Sequence, residues 1–511
     1  MTLYRRERTR IGKVSLATKF FQAVGALPEA LKNFAFGTFL LFYYNQVLGL
    51  NAFKASIAIA VALIIDAVAD PLIGSVSDRM KTRLGRRHLL MYLSAAPIAV
   101  GLYLVFSPPT GLGETGLLAW LFASVVFTHV AMSLFVVPWT ALYAEFSDDY
   151  VERTTIVTWR YAIGWIGSLT FILLTWRLIF ASTPRYTPGQ LNPHAYGAFA
   201  PILAVVVAAA VLITTELTRR EIPYLLQPVA ATPRFSLARV WRDVAGTLTN
   251  TDFLMLFLGS LLTAGISGTT DTLGIYVSTY FWGLGPAQLQ WFSLAALGAV
   301  LAFASLGAVG RRFDKKAVLL TTFALLLVDG MAVIGLRLGN LLPANGSPVL
   351  LVILIGNEIL RTYLATLLGI IFVSMLADTI DVQELATGQR QEGVFASALT
   401  FSGKATAGVG AIVAGFLLTE VVHWPAHANP HSLDPKVVTQ LGLVAGVLVP
   451  LLFVFPFMLG GRYRITKERH AATRAALDLR RLVAPAPEEA EPGRQAMGVA
   501  LLPPAEAPRI G

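Results

Sequence analysis

Twelve apolar stretches of about 20 residues or more run through this chain, and few folds can accommodate them. They lie near 20–49, 55–77, 88–107, 116–143, 156–181 and 196–217, then near 251–282, 287–309, 316–338, 348–376, 393–421 and 437–461. A water-soluble fold would have to cover that much apolar side chain with polar surface. Only 14% of the 511 residues are charged, where soluble domains carry roughly 25%. The sequence therefore reads as an all-α, polytopic membrane protein, since a helix in lipid satisfies its own backbone. The basic opening, MTLYRRERTRIGKVSLATKF, leads into an apolar stretch too long for a cleaved signal. It is expected to remain as the first membrane helix.

Lysine and arginine set the expected orientation. Arg5, Arg6, Arg8, Arg10 and Lys13 fall on one side, with Arg79 to Arg87, Arg153, Arg219, Arg220, Arg311 to Lys316 and Arg390. The opposite loops hold Lys54, Arg185, Arg337, Lys436 and few others. Both termini are thus expected in the cytoplasm, in a plasma membrane of the bacterial inner-membrane kind. The net charge of +10 follows those loops and does not point to nucleic acid. With no cysteine, the chain has no disulfide and no thiol nucleophile. No clustered nucleophile, base and metal set appears near either interface, so an enzyme is not expected, and neither is a cofactor.

The polar stretch between the sixth and seventh spans divides the chain into an N-terminal half, 1–217, a central loop, 218–250, and a C-terminal half, 251–461. A basic segment and a Pro/Ala/Glu-rich tail, 462–511, follow. The basic segment is expected to form a helix near the membrane surface, and the tail from Val483 to be disordered. The halves echo each other. Gly74 to Arg79 and Gly85-Arg86-Arg87 follow span 2, and Arg311 to Lys316 follow span 8. AEFSDDYVERTT follows span 4, and LADTIDVQELATGQRQEG follows span 10. Duplicated six-helix halves are common in secondary transporters, which hold solute between the halves near the midplane.

Span 2 carries two acids, Asp66 and Asp70, in an otherwise apolar run. Asp66 lies about 11 residues into the span, roughly 16 Å, which is mid-bilayer. Residues four apart share a helix face, so both carboxylates point the same way. An ionised acid there costs about 2.5–3.5 kcal/mol on insertion scales. Pro71 has no N–H and leaves the Ala67 carbonyl without its helical partner. Two carboxylates and a freed carbonyl are hard oxygen ligands, and binding Na⁺ or H⁺ would offset the burial cost. The competing reading is a salt bridge between helices. In span 11, Lys404 lies too deep for its stem to reach either interface, so its ammonium needs a carboxylate. Asp66 and Asp70 are at matching depth.

The segments DAVADPLIGSVSD…RLGRR, VPWTAL…YVERT, ADTIDVQELATGQRQEG and FSGKATAG resemble the glycoside–pentoside–hexuronide:cation symporters of the major facilitator superfamily. The likeness spans about residues 20 to 460. It implies the major facilitator fold and cation-coupled symport of a sugar or glycoside by alternating access. It also implies that Asp66 and Asp70 bind the coupling cation, with Ser133 at a hydroxyl ligand position and Lys404 at the family's buried lysine. The amide between the two acids is Ala69 here. The family's two sugar-binding aspartates are replaced by Ala30 and Val136, while its span 5 arginine is kept as Arg160. A lysolipid-like amphiphile is the alternative solute. The expected partners are a small-molecule solute, a monovalent cation and the bilayer, with the protein a monomer.

Other intramembrane polar residues are candidates for solute binding. Thr270 and Asp271 lie in ISGTTDT of span 7, which reads equally as a binding stretch or a threonine-rich helix interface. Glu358 and Arg361, one turn apart in span 10, read first as an ion pair and second as solute ligands. Trp139 could stack on a sugar or pack against lipid, and Asp329 reads as a peripheral structural acid. Arg153 of the first half and Asp378, Asp381 and Arg390 of the second are placed to form cytoplasmic gate pairs, against a reading as solvated charge. His423, His427 and His431 recur at fours, but Pro425 and Pro430 break any helix, so an outer loop is expected there.

Overall fold

The computed structural model describes residues 4–5, 10, 12–80, 82–147, 149–225, 227–228, 251–387, 408–430 and 432–483. Ten helices among them are long and apolar enough to cross a membrane. They are Ala52–Arg79, His88–Phe106, Glu114–Phe146, Val151–Ile179 and Pro193–Tyr224 (spans 2 to 6), Thr251–Phe281, Pro286–Arg312, Lys315–Leu338 and Pro348–Leu385 (spans 7 to 10), and Pro435–Gly461 (span 12). Span 1 is assembled from pieces, Leu16–Val24, Leu27–Ala35 and the π-helical turns Phe36–Leu40 and Tyr43–Val47. Span 11 is described from Gly408 to Val421. A two-residue antiparallel pairing of Tyr4–Arg5 with Gln227–Pro228 ties the N-terminal segment to the chain after span 6.

The duplication expected from the loops extends to the helix ends. Span 1 closes in a π turn, where Leu48 N donates to Tyr43 O (3.0 Å) and Leu50 N to Tyr44 O (2.8 Å). Gly49 between them takes φ +80°. Span 7 repeats this with Trp282 N to Val277 O (3.0 Å), Leu284 N to Ser278 O (2.8 Å) and Gly283 at φ +64°. Span 11 does so again, Val422 N to Leu417 O (2.9 Å) and Trp424 N to Leu418 O (2.8 Å). There the left-handed position is His423, φ +52°. Span 5, the counterpart of span 11, ends in the π turn Thr175–Ile179.

The opposite end of the bundle, which carries the helix Lys467–Val483, is also duplicated. Arg86 and Arg87, after span 2, reach Glu145 at the end of span 4 at 2.6 and 3.0 Å. Lys315, after span 8, reaches Asp378 near the end of span 10 at 2.7 Å. In each half the same loop clamps the corresponding helix. Close helix contacts rest on glycine. A Cβ at Gly298 of span 8 would stand 2.1 Å from Ile359 O of span 10, and one at Gly415 of span 11 would stand 2.2 Å from Ser56 Oγ of span 2.

At the far end, hydrogen bonds join the two halves. Gln190, between spans 5 and 6, donates to Thr279 Oγ1 and Leu284 O, both at 3.0 Å. Tyr276 donates to Asn45 Oδ1 (3.1 Å) and Tyr280 to Gln46 Oε1 (2.7 Å). Gln46 Nε2 donates to Pro425 O (3.2 Å), and Phe42 packs edge-on against Tyr276 at 5.2 Å. All these partners except Pro425 are buried, so this end is closed. His423 and His427 lie in the segment after span 11, where His427 Nδ1 is 3.3 Å from Gln46 O. His431 lies outside the described residues.

The basic segment forms the helix Lys467–Val483. It docks on the second half. His470 Nε2 lies 3.3 Å from Asp378 and 3.2 Å from Asp381, Arg474 lies 3.5 Å from Asp381, and Leu477 is buried. Two buried carboxylates with this many partners outweigh an ordinary surface pair. The double variant Asp378→Asn/Asp381→Asn is expected to raise tryptic cleavage at Arg474 by about tenfold, through local opening. An unchanged cleavage rate would show that the helix is held by other contacts.

Candidate functional site

Span 2 starts cleanly, with Asn51 capping it through Lys54 N (3.0 Å), and runs through Pro71. Asp66 sits on the face turned to span 4 and is 5% exposed. Ser133 Oγ donates to Asp66 Oδ1 at 2.7 Å. His129 Nδ1 lies 3.5 Å from Asp66 Oδ2. His129 and Ser133 are four apart and share a face of span 4, so a single helix presents both to one carboxylate. Asp70 follows one turn later, half-buried. Phe36 of span 1 covers His129 edge-on at 5.6 Å. The donor set therefore combines carboxylate and hydroxyl oxygens with one imidazole in an apolar surround. Hard oxygen ligands of this kind suit a small cation. Lys404 lies outside the described residues. The described part of span 11 packs on span 2, with Gly408 against Ala60 and Gly415 against Ser56.

The first-half solute candidates lie elsewhere. Trp139 is 1% exposed, and its indole N–H donates to Gln22 O of span 1 at 2.9 Å. Gly25 leaves the space its ring fills. Packed inside the half, it meets neither lipid nor the cavity. Arg160 lies over the Trp139 ring at 4.0 Å and over Tyr143 at 5.1 Å. That is a cation–π stack on the same indole.

A cavity of about 740 Å³ opens instead among spans 7 to 10 and 12, walled on one side by spans 1 and 5. Drug-sized ligand sites fall in this size range. Thr270, Asp271, Glu358 and Arg361 all line it. Arg361 Nε donates to Glu358 Oε2 at 3.0 Å, and a second guanidinium N–H bonds Glu358 Oε1. Arg361 Nη1 lies 3.6 Å from Asp271 Oδ1. The ion pair read from the spacing is present, and it also faces the cavity. Asp329 is no peripheral acid: it lines the same space and accepts from Asn357 Nδ2 at 2.7 Å. The two faces of span 7 meet different surroundings. Thr269 Oγ1 bonds Gly410 O of span 11 at 3.2 Å, while Thr270 and Asp271 face the cavity.

Among the described residues, no ion pair joins Arg153 to Asp378 or Asp381 in this conformation. Asp378 and Asp381 are held within their own half by Lys315, His470 and Arg474. Arg153 Nε donates to Ser147 O at 2.6 Å and its Nη2 to Ala144 O at 3.0 Å. Arg390 lies outside the described residues.

A family model described as MFS/sugar transport protein matches residues 21–467. The chain belongs to this family, the glycoside–pentoside–hexuronide:cation symporters of the major facilitator superfamily. Among curated proteins, the isoprimeverose transporter of Lactiplantibacillus pentosus is 27% identical, over 77% of this chain and 78% of its own. The putative glycoside/cation symporter YagG of Escherichia coli is 22% identical, over 84% and 88%. The sphingosine-1-phosphate transporter MFSD2B of Xenopus tropicalis is 22% identical, over 94% of each chain. The protein is thus an integral membrane transporter of the symporter kind and not an enzyme, and it has the all-α major facilitator fold, with ten membrane-length helices among the described residues.

Two features of this symporter escaped the sequence reading. His129 has no acid at motif spacing on its own span, because its partner Asp66 is on another helix. The i, i+4 spacing to Ser133 was the available signal. The cavity wall contributed by Asn33, Trp165, Trp176 and Asn357 was also missed. These residues come from three spans and share no local pattern.

Proposed function

We propose that this symporter moves a sugar or glycoside together with Na⁺ or H⁺ into the cell, with both termini in the cytoplasm. The supporting observation is Asp66: a carboxylate 5% exposed in the middle of a membrane helix, held by Ser133 with His129 beside it. An ionised acid in that place is costly unless a cation meets it. Asp66, Asp70 and Ser133 are its ligands in this reading, and Lys404 competes with the cation for the same carboxylates. Solute binds in the cavity at Thr270, Asp271, Glu358 and Arg361. The far end, closed by Gln46, Gln190, Tyr276 and Tyr280, faces outward. Release then occurs toward the cytoplasm, and Arg153 pairs with Asp378, Asp381 or Arg390 when that side closes. The protein acts as a monomer.

An amphiphile carrier is the second reading, favoured by the likeness to the frog sphingosine-1-phosphate transporter. Three acids against one arginine in the cavity weigh against a phosphate headgroup. Reconstituted vesicles given a Na⁺ or a pH gradient test the choice, with labelled isoprimeverose, p-nitrophenyl β-glucoside and lysophosphatidylcholine as probes. One of the two gradients should drive accumulation of a glycoside, and collapsing that gradient should abolish it. Accumulation of the lysolipid alone would reject the sugar reading.

A further inference from the structure

The polar wall of the cavity is unbalanced in charge. Arg361 is the one basic side chain among its described lining residues, whereas Asp271, Asp329 and Glu358 are acidic. Glu358 takes the guanidinium in a two-point grip. Asp271 stands farther off, 3.6 Å at its nearest, with 64% of its side chain exposed to the cavity. Asp329 is held by a neutral amide, Asn357. Counted as ionised, these groups leave two negative charges in excess in a space also lined by the aromatic rings of Phe34, Trp165, Trp176 and Phe372. Low-dielectric walls focus such a field.

We propose that Asp271, Asp329, Glu358 and Arg361 make the cavity a charge filter for glycosides. It accepts solutes whose polar edge carries hydroxyl groups and rejects those bearing a carboxylate or a phosphate. The inference rests on the sugar-symport reading and narrows its substrate class. An ionised carboxylate only accepts hydrogen bonds. A sugar hydroxyl can donate to Asp271, but a uronate oxygen cannot, and it brings a like charge into the same space. A uronate could take Arg361 in the same two-point grip only by displacing Glu358, which would leave that half-buried acid without its partner. Selection of this kind works through a repulsive element as much as an attractive one. Trp165 supplies an apolar face for the sugar ring.

The matched pair p-nitrophenyl β-glucoside and p-nitrophenyl β-glucuronide, which differ only at C6, tests this by calorimetry on the purified full-length protein in lipid nanodiscs. The wild-type protein should bind the glucoside at least tenfold more tightly. Asp271→Asn should narrow that ratio several-fold by improving glucuronide binding. Glu358→Gln, which frees the guanidinium, should narrow or invert it. Equal wild-type affinities, or tighter binding of the glucuronide, would overturn the filter while gradient-driven glycoside uptake still stood. Binding of neither glycoside, with no uptake under either gradient, would overturn both the filter and the sugar-symport reading.

Discussion

Asp66→Asn is expected to lower gradient-driven uptake on the order of 100-fold while leaving folded protein in the membrane. Asparagine matches aspartate in shape and keeps an oxygen for the Ser133 hydroxyl, now 2.7 Å away. It removes the charge that holds the cation. Hydrogen bonds and ligand contacts to a charged group are worth about 1.5–3 kcal/mol, and each 1.4 kcal/mol is about tenfold in affinity. Losing one such contact at the ion, together with the charge itself, accounts for the expected size. Ser133→Ala removes a neutral ligand and should cost about tenfold or less. Solute counterflow need not consume the ion gradient, so it should survive in Asp66→Asn. Wild-type uptake by Asp66→Asn would remove Asp66 from the coupling site. Loss of counterflow as well as uptake would mean the substitution damages the solute path.

The sequence disclosed the fold more fully than the site, for a physical reason. A span announces itself within about 20 consecutive residues, because lipid demands an unbroken apolar run. The loop basicity and the echoed loops are likewise local. Asp66 and Asp70 stood out on the same ground, as charges where charge is costly. Partners chosen by packing between helices leave no such trace. His129 meets Asp66 across spans 4 and 2, and Asn357 meets Asp329 across spans 10 and 9. Trp139 shows the converse. It could stack on a sugar or pack against lipid, yet a glycine on another span, Gly25, makes room for it inside the half. The tail helix was legible as a helix, but its docking was not, because Asp378 and Asp381 looked free to serve the gate.

The second large effect is expected at the far end. Gln46 accepts from Tyr280 OH at 2.7 Å and from Ala428 N at 3.1 Å, and donates to Pro425 O. Gln190 is fully buried and donates twice to the other half. Most of these bonds cross between the halves, so they exist only while this end is closed. When it opens, water satisfies the same groups. Each glutamine replaced by alanine strips partners from buried groups in the closed state alone, at about 1–3 kcal/mol apiece. The double variant Gln46→Ala/Gln190→Ala should therefore shift the closed-to-open ratio at this end by on the order of 100-fold. The chain contains no cysteine, so a single introduced pair can carry spin labels without background. Arg185 and Lys436 are exposed, lie at this end and belong to opposite halves. Labels placed there should report mainly one short distance in the otherwise unaltered chain and a dominant longer one in the double variant. Tyr280→Phe, which removes one donor and leaves both glutamines, should give a smaller change in the same direction. If the distance distributions of the double variant and its parent coincide, these bonds do not hold the far end shut, and closure there must rest on the aromatic packing of Phe42, Tyr276 and Trp424.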